Sequence, residues 1–401
     1  MNKSRWALTA AAALVVAGIG VHFVGDQTLV RYPLNIDQKL QYQGTATVYV
    51  NPATGLPLSS PIKTPLTINR VVKVVSGSYS TAVIDETIAT TFAGSTRTEN
   101  YQYVMDRRSM KLVDSLKSFA FGQTGNAMTP SGALRINFPL GTSSTKTYTA
   151  WVPETASTIK VTSTSPAHHD SVSGASVVTF DTVVNHQVAP YYLTYLYGSG
   201  LPAQLPAATV QAELKANGAD VSQVLAAVGP NLDSTQMATL TAALSQPVPL
   251  EYSYFQTGQI MVEPSTGAVV NGGSSREGVS VTADLSAMAP AEAILAPYAA
   301  LPAVQALSKA VANASGPQVV TQMTYSETTA SARSAAASAR NQAHQMNLIR
   351  WELPGLLVAL ALLALLLAWI WKPGPVADVI RLEVPVPGET AGTHAQHRKG
   401  A

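Results

Sequence analysis

The stretch from Leu353 to Trp371, LPGLLVALALLALLLAWIW, has no charged residue, and that constrains the chain more than any other feature. As a helix rising about 1.5 Å per residue, it is long enough to cross a hydrocarbon core ~30 Å thick. Trp351, Trp369 and Trp371 lie near its edges like an interfacial belt, and Lys372 closes it at once. The competing interpretation is a buried core helix. So uniform a leucine run beside a tryptophan pair argues against it.

A second apolar stretch, WALTAAAALVVAGIGVHFV, runs from Trp6 to Val24 behind Lys3 and Arg5. A cleaved signal peptide would share its basic start and apolar centre. The exit, HFVGDQ, offers no clear small-x-small cleavage site, so the segment reads as an uncleaved anchor. With both spans inserted, residues 1–5 and the tail 372–401 share a side. Lys3, Arg5, Lys372, Arg381, Arg398 and Lys399 place that side in the cytoplasm. The expected topology is a two-pass inner (plasma) membrane protein. Its large domain, 25–327, is periplasmic, a helical stalk spans 328–352, and the cytoplasmic tail is disordered.

Several function classes fall away on composition. A formal net charge of +2 over 401 residues gives no footprint for nucleic acid. The absence of cysteine excludes disulfides, thiolate nucleophiles and Cys-ligated zinc, so an exported domain must stand on its own core.

From Asp37 to about Gly200 the texture is β-structure. LQYQGTATVYV, NRVVKVV, STAVIDETIATTF, ENYQYVMD, KLVDSL, GALRINFPL, KTYTAWV, STIKVTSTS, ASVVTFDTVVNHQVA and PYYLTYLYG follow one another, punctuated by Gly, Ser, Asn and Pro. Short alternating strands predict an antiparallel sandwich or barrel. Asn51–Gly55, Glu263–Gly267 and Asp106–Met110 read as hairpin turns. The period becomes helical between Pro206 and Gln246, where Asp233 and Gln236 fit a capping box, and again from Pro290 to Asn313. The expected fold class is therefore β-rich α+β: an antiparallel sandwich/barrel-like domain with helical inserts near 206–246 and 290–313, flanked by two transmembrane helices. TTASARSAAASARNQAHQMNLIRW favours helix and leads toward the second span.

Nothing in the sequence points to catalysis. G-x-S-x-G, the phosphate-binding loops and H-E-x-x-H are all missing. His168-His169-Asp170 is the one ligand-like cluster, and it reads as a solvated loop rather than a metal site. Asp85, Glu86 and Asp181 are scattered carboxylates with no spacing that pairs them. The expectation is no enzyme, cofactor or metal. Aromatic density without charge stands out instead, at Phe138, Tyr148 and Trp151, at Tyr191, Tyr192, Tyr195 and Tyr197, and at Tyr252, Tyr254 and Phe255. These rings either cover a sheet face or line a cavity that holds acyl chains while hydroxyls meet a sugar head.

Taken in order, VYVNPATG, YQYVMDRRSMKLVDS, LRINFPLGTSSTKTYTAWVPE and YSYFQTGQIMVEPSTGAVV between two terminal spans resemble an actinobacterial envelope family. That family was formerly of unknown function, is labelled a PorA-type porin, and includes the mycobacterial polar-growth factor that handles trehalose monomycolate. The resemblance covers roughly Met1 to Trp371 and is strongest at Asp106–Arg108, Phe138–Trp151 and Val262–Gly267. Two places depart from the family pattern: Val152-Pro153-Glu154 stands where an acidic residue is expected right after the tryptophan, and Asn271-Gly272-Gly273 where charged residues often follow the V-E-P hairpin. The resemblance implies a mycolate-type glycolipid as ligand, with an inner-membrane lipid exporter or envelope-assembly proteins as partners, and it carries no catalytic residues. Phe138, Tyr148, Trp151, Tyr192, Tyr252 and Tyr254 are the lipid-binding candidates. A scaffold that binds no lipid is the alternative, and a porin or envelope hydrolase the third reading. Short, irregular strands speak against a pore, which needs a closed barrel with a lipid-facing apolar band.

Overall fold

The computed structural model describes residues 3–22, 31–51, 54–120, 123–124, 131–197 and 201–370. The end of the first expected span, at residues 23 and 24, the last residue of the second, Trp371, and the tail expected in the cytoplasm lie outside them. The chain divides into two compact units, one made of Met1–Asp26 with Ile349–Ala401, the other of Gln27–Leu348.

The first unit pairs helix α1 (Lys3–Gly20) with a helix at Leu353–Ile370. Gly18 keeps them close, since a Cβ there would stand 3.4 Å from the Pro354 carbonyl and 3.5 Å from Leu357 Cβ. Small residues let helix backbones approach in this way. His22 Nδ1 lies 3.0 Å from the Arg350 carbonyl, and its ring stands 5.0 Å from that of Trp351. Among the described residues one helical stretch, Thr329–Ile370, is long and apolar enough to cross a membrane. The apolar part of α1, Thr9–Gly20, is shorter than a span.

The second unit is built on one strongly curved antiparallel sheet. Its longer strands are β1 (Asp37–Val50), β2 (Pro57–Gly77), β3 (Thr81–Phe92), β4 (Ser95–Asp106), β5 (Tyr148–Val152), β6 (Ser157–Ser163), β7 (Ala175–Gln187), β8 (Val248–Val262), β9 (Ser274–Ala283) and β10 (Gln318–Glu327). Their spatial order is β4-β3-β2-β1-β10-β9-β8-β7-β6-β5, so the first and last strands pair at the centre, with Tyr42 opposite Glu327. The result is a half-barrel rather than a two-sheet sandwich. Its strands are also longer than the punctuation suggested, reaching 21 residues in β2 and 15 in β8. Cross-strand pairing overrides the interior prolines and serines that read as breaks.

Alternation separates the two faces. Leu66, Ile68 and Val72 of β2 and Ile84 of β3 point into the concave core. The convex face is polar. Gln102 donates to Asp85 at 2.7 Å, Gln259 to Asp181 at 3.2 Å and Arg276 to Gln322 at 2.8 Å across neighbouring strands.

The chain passes from β4 to β5 through residues 107–147. GALRINFPL, expected as a strand, is instead an irregular crossover that joins the two edges of the sheet. Leu112 N–H donates to the Ala133 carbonyl (2.7 Å), Leu134 N–H to the Thr149 carbonyl (2.8 Å), and Trp151 N–H to the Leu134 carbonyl (2.8 Å). Phe138 N–H then bonds the Gly267 carbonyl in the hairpin after β8 (2.8 Å). These bonds to several different elements replace a regular ladder.

PYYLTYLYG, also expected as a strand, forms helix α2 (Pro190–Tyr197). Pro190 occupies the first helical turn, where its fixed φ suits a helix start, and Tyr192 is buried edge-on against Tyr254 at 6.0 Å. The two helical inserts supply α3 (Ala207–Ala216), α4 (Val221–Val228), α5 (Ser234–Leu244), α6 (Ala289–Leu295) and α7 (Pro302–Ala314). They share one apolar core through Leu214, Val224, Leu240, Leu295 and Leu307. The capping box is present, with Asp233 accepting from Gln236 N–H at 2.7 Å.

Helix α8 (Thr329–Asn347) occupies most of the expected stalk, but it does not stand free. Ala332, Ala335, Ala336 and Ala339 are buried. Ala335 joins Leu40, Tyr42, Leu66 and Ile68, while Ala336 and Ala339 join Val177 and Val270. Alanine gives helix propensity and a flat face at once, and here the face seats on the sheet.

Candidate functional site

The concave side of the half-barrel holds a cavity of about 540 Å³. Part of its lining is apolar. Ile68, Ile88 and Phe92 come from β2 and β3, Val320 and Met323 from β10, and Leu134, Ile136 and Phe138 from the crossover. The sheet delivers its share because alternate residues of each strand face inward.

Polar, hydrogen-bonded groups stand on the same strands and crossover, beside these apolar residues. Glu86 of β3 is fully buried between two guanidiniums. Arg70 Nε lies 2.8 Å from Oε1, Arg135 Nε 3.1 Å from Oε2, and the Tyr103 hydroxyl donates to Oε2 at 3.1 Å. Burial alone would raise the Glu86 carboxyl, but Arg135 and Arg70 outweigh it and hold the group below its usual range. Arg135 also lies over the Tyr101 ring at 5.0 Å and the Trp151 ring at 5.7 Å.

The remaining carboxyls behave differently. Glu277 accepts from the hydroxyls of Tyr254 (2.8 Å) and Tyr325 (3.0 Å), and burial, then the nearby Glu154, pushes it up to about 7. Glu99 accepts from the Tyr101 hydroxyl, and burial with Glu154 pushes it up to about 8. Glu154 is itself raised by burial, against the pull of Arg135. Burial thus favours the protonated forms of these carboxyls, which can donate as well as accept. Glu86 offsets one of the charges of Arg70 and Arg135, and Arg97 also lines the cavity, so the lining keeps an excess of positive charge beside its apolar surface.

Phe138, Trp151, Tyr192 and Tyr254 lie on the cavity wall. Tyr148 and Tyr252 do not. Tyr148 stands edge-on to Phe138 (5.2 Å) and Phe180 (5.6 Å), and its hydroxyl accepts from Ser143 N–H at 2.9 Å. Tyr252 donates to the Pro202 carbonyl at 2.7 Å. Tyr252 has the strand phase of Tyr254 and Tyr148 that of Ala150, both of which line the cavity, so position along the strand rather than phase keeps the two tyrosines off the wall. Arg70, Arg135, Glu99 and Glu277 escaped the sequence reading. The available signal was phase: Arg70 falls in step with Ile68 and Val72, and Glu277 with Val279 and Val281. Of the scattered carboxylates, only Glu86 turns inward.

His168–Asp170 forms a short strand paired with Ala175–Val177 rather than a loop. Asp170 accepts from the Ser173 N–H at 2.9 Å and the Asn271 amide at 3.1 Å, which fixes the hairpin. Among the described residues, no group of His, Asp and Glu could hold a metal ion.

A family model described as Porin PorA matches residues 4–370. This chain belongs to the PorA family. No curated protein matches it. The match takes in α1, the whole half-barrel and the Leu353–Ile370 helix, so the PorA pattern includes the apolar ends as well as the cavity.

Proposed function

We propose that this PorA-family chain is a two-span, membrane-anchored protein whose exported half-barrel binds an amphiphile with a polar head. A mycolate-type glycolipid is the ligand that the family resemblance implies. The observation that carries the reading is the cavity, whose lining combines apolar side chains with buried tyrosines, arginines and carboxyls. Its volume falls in the range of ~300–1,000 Å³ typical of small-molecule sites. That is room for a headgroup and the start of its chains, which suits hand-over between carriers better than storage. Double anchoring would hold the domain close to a lipid exporter in envelope assembly.

The family's porin label supports a second reading, and long strands remove one objection to it. The polar convex face retains the other. A membrane barrel turns an apolar band outward, and here Asp85, Gln102, Asp181, Gln259 and Arg276 face out.

Native mass spectrometry of the purified full chain, followed by lipid extraction, separates the readings. Co-purified glycolipid is the expected result. An empty domain with a captured envelope protein would favour the scaffold, and ion conductance of the chain in a planar bilayer would favour the pore.

A further inference from the structure

The end of the sheet where β1 begins carries a feature that the cavity does not use. Here the chain enters the domain at Arg31, beside the β2–β3 hairpin and the Asp106–Met110 turn after β4. Arg107 ties these three pieces into one tip. Its Nε donates to the Tyr32 carbonyl (2.7 Å), its Nη1 to the Ser78 carbonyl (2.9 Å), and its own carbonyl accepts from Tyr32 N–H (2.8 Å). Leu34 leans on Gly77, where a Cβ would meet Leu34 Cδ2 at 2.4 Å. The D-R-R motif is thus the fastener of a shaped surface.

That surface is both apolar and basic. Leu34, Val75 and Tyr79 are 40%, 49% and 57% exposed, and the Arg31 guanidinium lies 4.2 Å above the Tyr79 ring. Arg108 and Lys111 are exposed beside them. Of the nearby acids, Asp37 pairs with Lys73 at 3.5 Å, and Asp106 accepts from the N–H groups of Arg108 (3.1 Å) and Ser109 (2.7 Å) and also attracts Arg31, which leaves Arg108 and Lys111 as further cations on the surface. Aliphatic and aromatic side chains ringed by arginine and lysine match the interface of an anionic bilayer, where rings and stems enter the headgroup layer and cations meet phosphates.

The tether selects the occupant. Residues 23–30 join His22, at the end of the apolar N-terminal segment, to Arg31. At most ~3.5 Å per residue, that link keeps the tip within roughly 30 Å of the segment's end. We infer that the tip rests in the headgroup layer of the membrane that anchors the chain, with Leu34, Val75 and Tyr79 inserted and Arg31 and Arg108 on anionic lipid phosphates. This rests on the anchored reading above and not on the nature of the cargo.

The chain has no cysteine, so single labels are unambiguous. Full-length Val75→Cys, Tyr79→Cys and, at the far end of β2, Ser59→Cys carry an environment-sensitive fluorophore. Each is reconstituted in nanodiscs of phosphatidylcholine alone or with an equal part of phosphatidylglycerol. Labels on Val75→Cys and Tyr79→Cys should shift to the blue and be quenched by lipids spin-labelled near the headgroup, more strongly in the anionic discs. The Ser59→Cys label should remain water-like. Arg31→Glu with Arg108→Glu should abolish the difference between disc types. Water-like emission from both tip labels in discs that carry the chain would overturn the inference alone. Failure of the chain to co-purify with discs would overturn the anchored reading together with it.

Discussion

Arg135 and Glu86, 49 residues apart in sequence, meet at 3.1 Å on the concave side of the sheet. The contact fastens the crossover, which bears one wall of the cavity, to β3, which bears another. Removing the carboxylate leaves two guanidiniums facing each other in a buried site. Glu86→Ala should therefore cost about 3–5 kcal/mol of domain stability, as for other broken buried pairs. Chemical denaturation checks this, and a change below about 1 kcal/mol would show that the pair is not structural.

Stability should depend on pH in a direction set by Glu99 and Glu277. Both hold protons in the folded domain that the unfolded chain releases, since their values are raised to about 8 and about 7. Their contribution is fully present below the ordinary carboxylate range and is lost as pH rises through 7 to 8. Glu86, held low, has the opposite sign and loses its contribution only as pH falls through its folded value in acid. Thermal melts from about pH 5 to about pH 9 should show a falling midpoint, flattened by Glu99→Gln with Glu277→Gln. Equal slopes for the variant and the native chain would sink the assignment.

Gly267 offers a steric test of the crossover's docking. Its φ is +70°, and an added Cβ would lie 2.0 Å from the Phe138 carbonyl. Gly94 has a similar φ of +74° but open space around it. Gly94→Ala should cost about 1 kcal/mol from backbone strain alone. Gly267→Ala should cost clearly more and alter the fluorescence of Trp151, whose strand the crossover holds. Matching losses for the two would mean that the crossover yields freely.

Cavity volume should govern occupancy. Val320 is 1% exposed and lines the cavity, so Val320→Phe fills space at a stability cost of about 1–3 kcal/mol. Co-purified amphiphile should fall several-fold. Trp151→Ala should also reduce it, by opening the wall beneath Arg135. Tyr148→Ala should act more weakly, because Tyr148 touches the wall only through Phe138. Unchanged lipid content in Val320→Phe and Trp151→Ala would remove the cavity from consideration.

What the sequence disclosed and what it hid divide along physical lines. Period-2 alternation in β1, β3 and β8 and the Asp233 cap are local signals, and each appears in the structure. PYYLTYLYG failed because tyrosines suit a strand by propensity, while burial of Tyr192 against Tyr254 is a tertiary decision. GALRINFPL failed for a related reason. Its alternation is real, but Arg135 and Asn137 are used to bond Glu86 and Tyr32 across the interior rather than to face solvent. Half of the cavity was legible as aromatic density. The charged half was not, because a lone Arg or Glu in a strand shows its partner only once distant strands are aligned.

The pairing of β1 with β10 sets when this domain can exist. Tyr42 cannot find Glu327 until nearly the whole domain has been made, and closing so long a loop is entropically slow. Until then β1 presents an open edge, a template for wrong partners. Arrival of the last strand is therefore the committing event, and a chain cut between β9 and β10 should hold two half-sheets that nothing joins at the centre. A chain arranged in this way has an assembly schedule fixed by its strand order, with a vulnerable interval that ends when its final strand arrives.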